Sequence, residues 1–290
     1  MQDRDVVIIG GGPAGLSAAR RLAELGIRNV TLLEREAEAG GVPRHCGHLG
    51  FGWQSHRRIW SGPHFAAAMR GSVEGLDIRT GTTVLQIGKD GVLRIRDRSG
   101  LGEIAARRIL IATGTRETPR APRFAGGSRP QGVMTTGALQ QHVYLQGFGP
   151  FKAPVIVGTE WVSFSAILTC RHLGIRPVAM IEAQARTSAP WPGGPIARLV
   201  YGVPVLLNSR IVEIRGRQQV EAVTIETQGQ RRDLACDGVI FSGEFVPERA
   251  VFAEGPAIFT AGNVNAPLKT SGQCWREGRD TAERVAGSLA

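Results

Sequence analysis

The chain has 290 residues, 42% of them hydrophobic and 21% charged, with a formal net charge of +10. That is the composition of an ordinary globular protein with length for two domains, and no run approaches the roughly 18 uninterrupted apolar residues of a membrane span. Only Lys89, Lys152 and Lys269 are lysines among the 35 basic residues; the arginines are scattered instead of forming a basic block, so no nucleic-acid partner is expected. A phosphate-binding loop starting at residue 10 leaves no room for a secretory signal, and a cytoplasmic protein is expected.

Asp5-Val6-Val7-Ile8-Ile9 is a short β-branched run, followed by Gly10-Gly11-Gly12-Pro13-Ala14-Gly15. From Leu16 to Leu25 apolar and small residues recur at helical spacing, and Gly26 ends the helix. A second strand, Val30 to Leu33, closes on Glu34, 19 residues after the last glycine (34 − 15). Each part serves an adenine dinucleotide. Gly10 permits the tight turn, Gly12 lets the backbone approach a pyrophosphate, and Gly15 allows close helix–strand packing. The helix N-terminus offers N–H groups and a positive dipole end to the phosphates, and Glu34 accepts from ribose hydroxyls.

The segment from Glu38 to Trp53 is a long loop rich in glycine and histidine, of the kind that meets ligands beyond strand ends. Strands are expected at Val84 to Ile87, Val92 to Arg96 and Arg107 to Ile111, the last running into Ala112-Thr113-Gly114. Pro119, Pro122, Gly126, Gly127 and Pro130 mark a crossing between domains. A second βαβ-like unit follows: Val155 to Val157, a turn from Gly158 to Ser163, a helix to His172 and a strand from Val178 to Ile181. Strands at 203–207, 211–214, 220–226 and 239–241 complete that domain with a smaller β layer. The chain returns through Thr260-Ala261-Gly262-Asn263 and ends in a helix from about Ser271 to Ala286. The fold class is α/β with two Rossmann-like dinucleotide-binding domains, the second inserted into the first: residues 1–116 and 248–290, and residues 117–247.

These landmarks, in this order, resemble the two-dinucleotide-domain flavoprotein reductases such as thioredoxin reductase. The resemblance implies FAD at the first glycine loop, with contacts from Gly10, Gly12, Pro13, Ala14, Gly15, Glu34, Arg35, Gly41, Val84, Ala112, Thr113, Gly114, Gly262, Asn263 and Ser271. Asn263 stands where that family has Asp; it can still accept one hydrogen bond and donate another. In the second loop Gly158 keeps the first turn, but Glu160 holds the place of the second glycine and Ser163 that of the third. A side chain obstructs backbone approach and a carboxylate repels a pyrophosphate, so NAD(P)H binding is expected to be weak or absent. The four cysteines, Cys46, Cys170, Cys236 and Cys274, contain no C-x-x-C, which removes the family's dithiol centre and any self-contained iron–sulfur or zinc site.

The run from Gly40 to His48, the run from Glu160 to Ser165, and Gly262-Asn263-Val264 with the segment from Cys274 to Arg279 resemble the FAD subunits of heteromeric amine dehydrogenases. These are the opine oxidases, hydrogen cyanide synthase, and the hydroxyproline and proline dehydrogenases. The resemblance implies a substrate-oxidising flavoprotein subunit that takes the small-molecule amine, a small iron–sulfur subunit, and FMN or [2Fe–2S] only through those partners. Arg44, His45, Cys46 and His48 are the candidate catalytic residues: a cation stabilises reduced flavin and a histidine relays a proton, while hydrogen bonds to the loop's own carbonyls are the alternative. No metal is expected, since adjacent side chains of an extended loop diverge. Phe51, Trp53 and Trp60 read as either a docking patch or core. A stand-alone NAD(P)H-dependent reductase without C-x-x-C and a non-redox nucleotide-binding protein stay open beside this reading.

Overall fold

The computed structural model describes residues 2–289. The chain forms two compact units. One comprises Met1–Arg44, Leu49–Arg116 and Val246–Ala290; the other comprises His45–His48 and Glu117–Phe245.

The first unit is built on a seven-stranded sheet. Its parallel part runs Asp77–Arg79, Val30–Leu33, Gln2–Ile9, Gly100–Ile111, with Ile258–Thr260 pairing the far half of the long strand. The near half of Gly100–Ile111 pairs antiparallel with Val92–Asp97, which pairs with Thr83–Ile87. Val30–Leu33 is buried throughout, as a strand with both faces covered must be, and the apolar β-branched run Val6 to Ile9 is buried beside it. The helix Pro13–Glu24 covers one face together with the final helix Ser271–Leu289. These two helices approach so closely that a Cβ on Gly278 would stand 2.1 Å from the Ala14 carbonyl oxygen. Ser17 Oγ donates to the carbonyls of Ala14 and Trp275, and Arg279 and Arg21 pair with Glu24 across the helix edge. Arg279 first, then Arg20 and Arg21, hold the Glu24 carboxyl down to about 2 against its partial burial.

The second unit has a five-stranded parallel sheet, ordered Val133–Thr135, Gly238–Phe241, Pro154–Val157, Ala179–Ile181, Val205–Leu206. The helices Thr136–Gln146 and Trp161–His172 pack on it. A four-stranded sheet, ordered Gly126–Gly127, Ser209–Arg215, Ala222–Thr227, Gln230–Ala235, forms the other layer. The helices Gly62–Gly71 and Thr136–Gln146 and the strand Gln230–Ala235 carry no expectation from the sequence; the strand shows only one half-buried residue among six, so it offers no apolar alternation. Of the aromatic trio, Trp53 is exposed, whereas Phe51 and Trp60 pack against the buried core of the first unit. No helix among the described residues is long and apolar enough to cross a membrane.

Candidate functional site

The chain leaves the first strand at Gly10 with φ +105°, and a Cβ there would stand 2.5 Å from the Ala112 carbonyl oxygen, so torsion and contact both exclude a side chain. The turn is tied on both sides: Gly10 N–H donates to the Leu33 carbonyl and Ala112 N–H to the Ile9 carbonyl, each at 2.8 Å. A Cβ on Gly15 would lie 1.9 Å from the Gly10 carbonyl oxygen, so the helix can start this near the turn only with glycine. Gly12 differs in kind. Its backbone, φ −78° and ψ −173°, suits any residue, and the nearest atom to its absent Cβ is 4.0 Å away. That atom is Gly41 Cα, at ordinary van der Waals contact, so a side chain or ligand atom has room there. Gly12 is also the N-cap of Pro13–Glu24, with no side-chain cap, which leaves the first-turn amides of Ala14 and Gly15 and the dipole to an anion.

Glu34 lies 7% exposed at the end of its strand. Its Oε2 accepts from Gly11 N–H at 2.7 Å and its Oε1 from Glu36 N–H at 2.8 Å. Each carboxylate oxygen keeps a lone pair for a further donor such as a ribose hydroxyl. Gly40 N–H donates to the Gly11 carbonyl at 2.7 Å, and this brings Gly41 beside Gly12. Arg44 follows: its buried Nε has no hydrogen-bond partner among the described residues, and the nearest carboxylate, Glu38, is 3.7 Å away. Room at Gly12, an uncapped helix start and a buried guanidinium nitrogen lacking an acceptor together fit a dinucleotide diphosphate.

The remaining candidate FAD contacts all lie within the first unit. Pro13 opens the helix and Ala14 is buried. Arg35 is exposed beside Glu36, and the Val84 side chain is buried with Leu93 and Ile95 on the opposite face of the sheet. Ala112 is buried, Thr113 Oγ1 donates to the Glu248 carbonyl at 2.6 Å, and Gly114 turns the chain with φ +76°. Gly262 packs on Ala14. The Asn263 side chain holds its own loop, accepting from Lys269 N–H at 2.8 Å and donating to the Lys269 carbonyl at 3.2 Å, while Ser271 begins the final helix.

Contacts assign the four loop residues to both units. Arg44 belongs to the first unit, and His45, Cys46 and His48 belong to the second. Cys46 Sγ donates to Gln140 Oε1 at 3.3 Å, Gln140 Nε2 to Ser165 Oγ at 3.0 Å, and Ser165 Oγ to the Val162 carbonyl at 2.6 Å. Burial pushes the Cys46 thiol up to about 12, so it stays protonated at neutral pH and supplies no thiolate. Burial likewise raises Cys170 to about 12, and Cys236 and Cys274 to about 11; all four cysteines are free and buried.

The second loop repeats the first at a constant spacing of 148 residues (158 − 10, 163 − 15, 182 − 34). Gly158 has φ +109°, and its N–H donates to the Ile181 carbonyl at 2.9 Å. Glu160 caps the helix Trp161–His172 with φ −72° and ψ 168°, the backbone of Gly12 with a side chain added. That side chain folds back over the loop. Its Oε2 accepts from Ser163 Oγ at 2.9 Å and lies 2.6 Å from where a Cβ of Gly158 would stand; its Cδ is as close to the Cβ position of Gly243. Ser163 Oγ is also 2.9 Å from Ser242 Oγ. Burial raises the Glu160 carboxyl above its ordinary value, with the Glu182 charge adding to the shift and Arg123 and hydrogen bonds opposing it.

Three further residues at this loop carry no expectation from the sequence. Glu182 is 6% exposed and takes the place of Glu34: its Oε1 accepts from Gln184 N–H at 3.0 Å, and its Oε2 from Ser188 Oγ at 3.0 Å and from Thr159 Oγ1. A signal for it exists, since 182 − 163 again gives 19. Arg123 donates to the Thr118, Ser242 and Gly243 carbonyls at 2.8–3.0 Å. Glu117 accepts from Gly137 N–H at 2.6 Å, and burial raises its carboxyl. No local pattern announces either of these last two.

Among curated proteins the chain is 27% identical to one of the subunits of opine oxidase from Rhizobium meliloti (strain 1021) over 209 residues, covering 71% of this chain and 43% of that one. It is 24% identical to the HcnB subunit of hydrogen cyanide synthase from Pseudomonas protegens over 314 residues, covering 98% of this chain and 65% of that one. It thus spans less than two thirds of either relative. The solved thioredoxin reductase of T. acidophilum superposes with a TM-score of 0.81 at 20% identity, with full coverage of both chains, a likeness of fold. The model of the pyridine nucleotide-disulphide oxidoreductase family matches residues 4–270, so the chain with these two phosphate loops belongs to that family of oxidoreductases.

Proposed function

We propose that the chain is the FAD-binding subunit of a heteromeric amine or amino-acid dehydrogenase of the opine, hydroxyproline or proline type. The observation that carries this reading is the contrast at one position: nothing comes nearer than 4.0 Å to the Cβ position of Gly12, whereas Glu160 fills the corresponding place. A flavin site is open and a nicotinamide site is shut, so electrons enter by another route than NAD(P)H. The names of the relatives as subunits of an oxidase and a synthase favour a partner as that route.

In this reading the Gly12 backbone and the first-turn amides of Ala14 and Gly15 hold the diphosphate, and Glu34 orients the adenosine ribose. Arg44 gives its buried N–H to an anionic oxygen of the cofactor, and its charge favours a reduced, negatively charged state. FAD, when bound, supplies the two-electron acceptor. Cys46 fixes its segment of the loop through Gln140. The amine is oxidised on a substrate-oxidising flavoprotein partner, and FMN or a [2Fe–2S] cluster belongs to that partner or to a small iron–sulfur protein of the complex.

Copurification from the native source, with mass spectrometry of the associated chains and absorbance of the released cofactors, tests this. FAD on this chain and a second flavoprotein in the complex are the expected result. A chain that purifies alone and whose flavin bleaches rapidly with NADH or NADPH would instead establish the stand-alone reductase, the reading that the retained Glu182 favours.

A further inference from the structure

The turn, the strand end and the ribose acid of the second loop are all retained; what differs is Glu160 at the second glycine position, with Ser163, its hydrogen-bond donor, at the third. Gly158 reproduces the turn of Gly10 within a few degrees of φ, the 12-residue helix Trp161–His172 begins at the same offset, and Glu182 is held by backbone and hydroxyl donors as Glu34 is held by backbone donors. Gly243, with φ +72°, supplies a second bare backbone opposite Gly158, and Arg123 fixes its carbonyl. The Glu160 carboxylate sits between those two glycines, accepting from Ser163. An anion therefore already occupies the N-terminal end of this helix, and it belongs to the chain itself.

We propose that Glu160 is an internal stand-in for a phosphate, which holds shut a nucleotide seat that keeps its turn and its ribose acid. Removing it admits an adenine dinucleotide whose ribose carries a free 2′-hydroxyl. The choice of ligand follows from Glu182. Its carboxylate accepts from a hydroxyl but repels a 2′-phosphate, so the opened seat takes NAD⁺ in preference to NADP⁺. Two effects keep the native seat closed. The side chain fills the space needed for close backbone approach, and its charge opposes a pyrophosphate. The charged groups that bear on it are Glu182, which adds to that repulsion, and Arg123, which partly offsets it.

This deepens the reading that the native chain takes no nicotinamide, and it is tested apart from the flavin assignment, because flavin absorbance reports the first unit alone. Isothermal titration of the purified chain with NAD⁺ and with NADP⁺ would compare wild type with Glu160→Gly, Glu160→Ala and Glu160→Gln. The expected result is no saturable NAD⁺ binding by wild type. Glu160→Gly and Glu160→Ala should bind NAD⁺ about tenfold or more tightly than wild type, and also more tightly than they bind NADP⁺. Glu160→Gln, which loses the charge and keeps the bulk, should fall between. In the Glu160→Gly background, Glu182→Ala should abolish the preference for NAD⁺. Either of two results overturns the proposal: wild type binding NAD⁺ as tightly as Glu160→Gly, or Glu160→Gly and Glu160→Ala proteins that melt no lower than wild type gaining nothing. A preference for NAD⁺ that survives Glu182→Ala overturns the role given to that residue.

Discussion

The two phosphate loops share a backbone and differ in what that backbone is for. At the first glycine position both loops keep Gly, because φ near +105° is closed to side chains whether or not anything binds. At the second position φ is −78° in one loop and −72° in the other, values that every residue adopts. Nothing in the fold therefore demands glycine there. On the proposed function, glycine stands at position 12 because a ligand needs the space there, and glutamate can stand at position 160 because none enters. The middle glycine reports binding, and the first reports only the turn.

The sharpest way to break this comparison is to move the second loop's side chain into the first. Gly12→Glu should fold, since its backbone is compatible, yet lose its flavin: an affinity loss on the order of 100-fold or more is expected from obstruction and like-charge repulsion together. Flavin absorbance per polypeptide after gel filtration measures it, and full occupancy would end the argument that Gly12 faces a diphosphate. Next in size is Gly278→Ala, which sharpens the other half of the cradle. The new methyl would press into the Ala14 carbonyl and Ser17 Oγ, at 2.1 and 2.3 Å. Separation of the two helices should cost about 1–3 kcal/mol and lower the melting temperature by roughly 3–10 °C. An unchanged melting curve would show that this helix pair is not the tight contact described.

The first cradle was legible because its determinants are local: an apolar run, three glycines at fixed offsets, and an acid 19 residues on. The strands at Val30–Leu33, Val92–Asp97 and Gly238–Phe241 were legible for the same reason, their apolar or alternating residues lying in a row. Glu160 announced itself as a departure from a pattern, and Glu182 obeyed the pattern unnoticed. The places of Arg123, Glu117 and Gln140 were not legible, because each acts on backbone or side chains tens of residues away and no short-range spacing encodes such a contact. The sequence likewise presented Arg44, His45, Cys46 and His48 as one cluster, since adjacency is all a sequence displays. Contacts divide that run between the two units. The helix Thr136–Gln146 was hidden for another reason: it buries Thr136 and Gln140 along with Leu139 and Val143, so its inner face has no clean apolar stripe.

Cys46→Ala would test whether that thiol is a tether. It leaves the buried Gln140 Oε1 without its donor, a loss of about 1 kcal/mol, and should leave the flavin content unchanged. A flavin loss greater than the stability loss would instead put the sulfur at the cofactor. The smallest expected effect, and the most diagnostic of how the two units differ, is their dependence on pH. Glu160 and Glu117 have carboxyls raised by burial, so they favour the folded state most below the unfolded value near 4.5, and that contribution is lost as pH rises through their raised values. Glu24 in the first unit is held at about 2, so its contribution is present above 4.5 and disappears as pH falls through 2. Glu160→Gln should therefore raise the melting temperature by roughly 1–2 °C at pH 8 and by less at pH 5, whereas Glu24→Gln should lower it at both. Melting curves at the two pH values decide between this and a uniform role for the carboxylates. If the Glu160→Gln and Glu24→Gln differences had the same sign, Glu160 would be bound as favourably as any surface ion pair, and the charge disfavoured by burial in the second loop would have no basis.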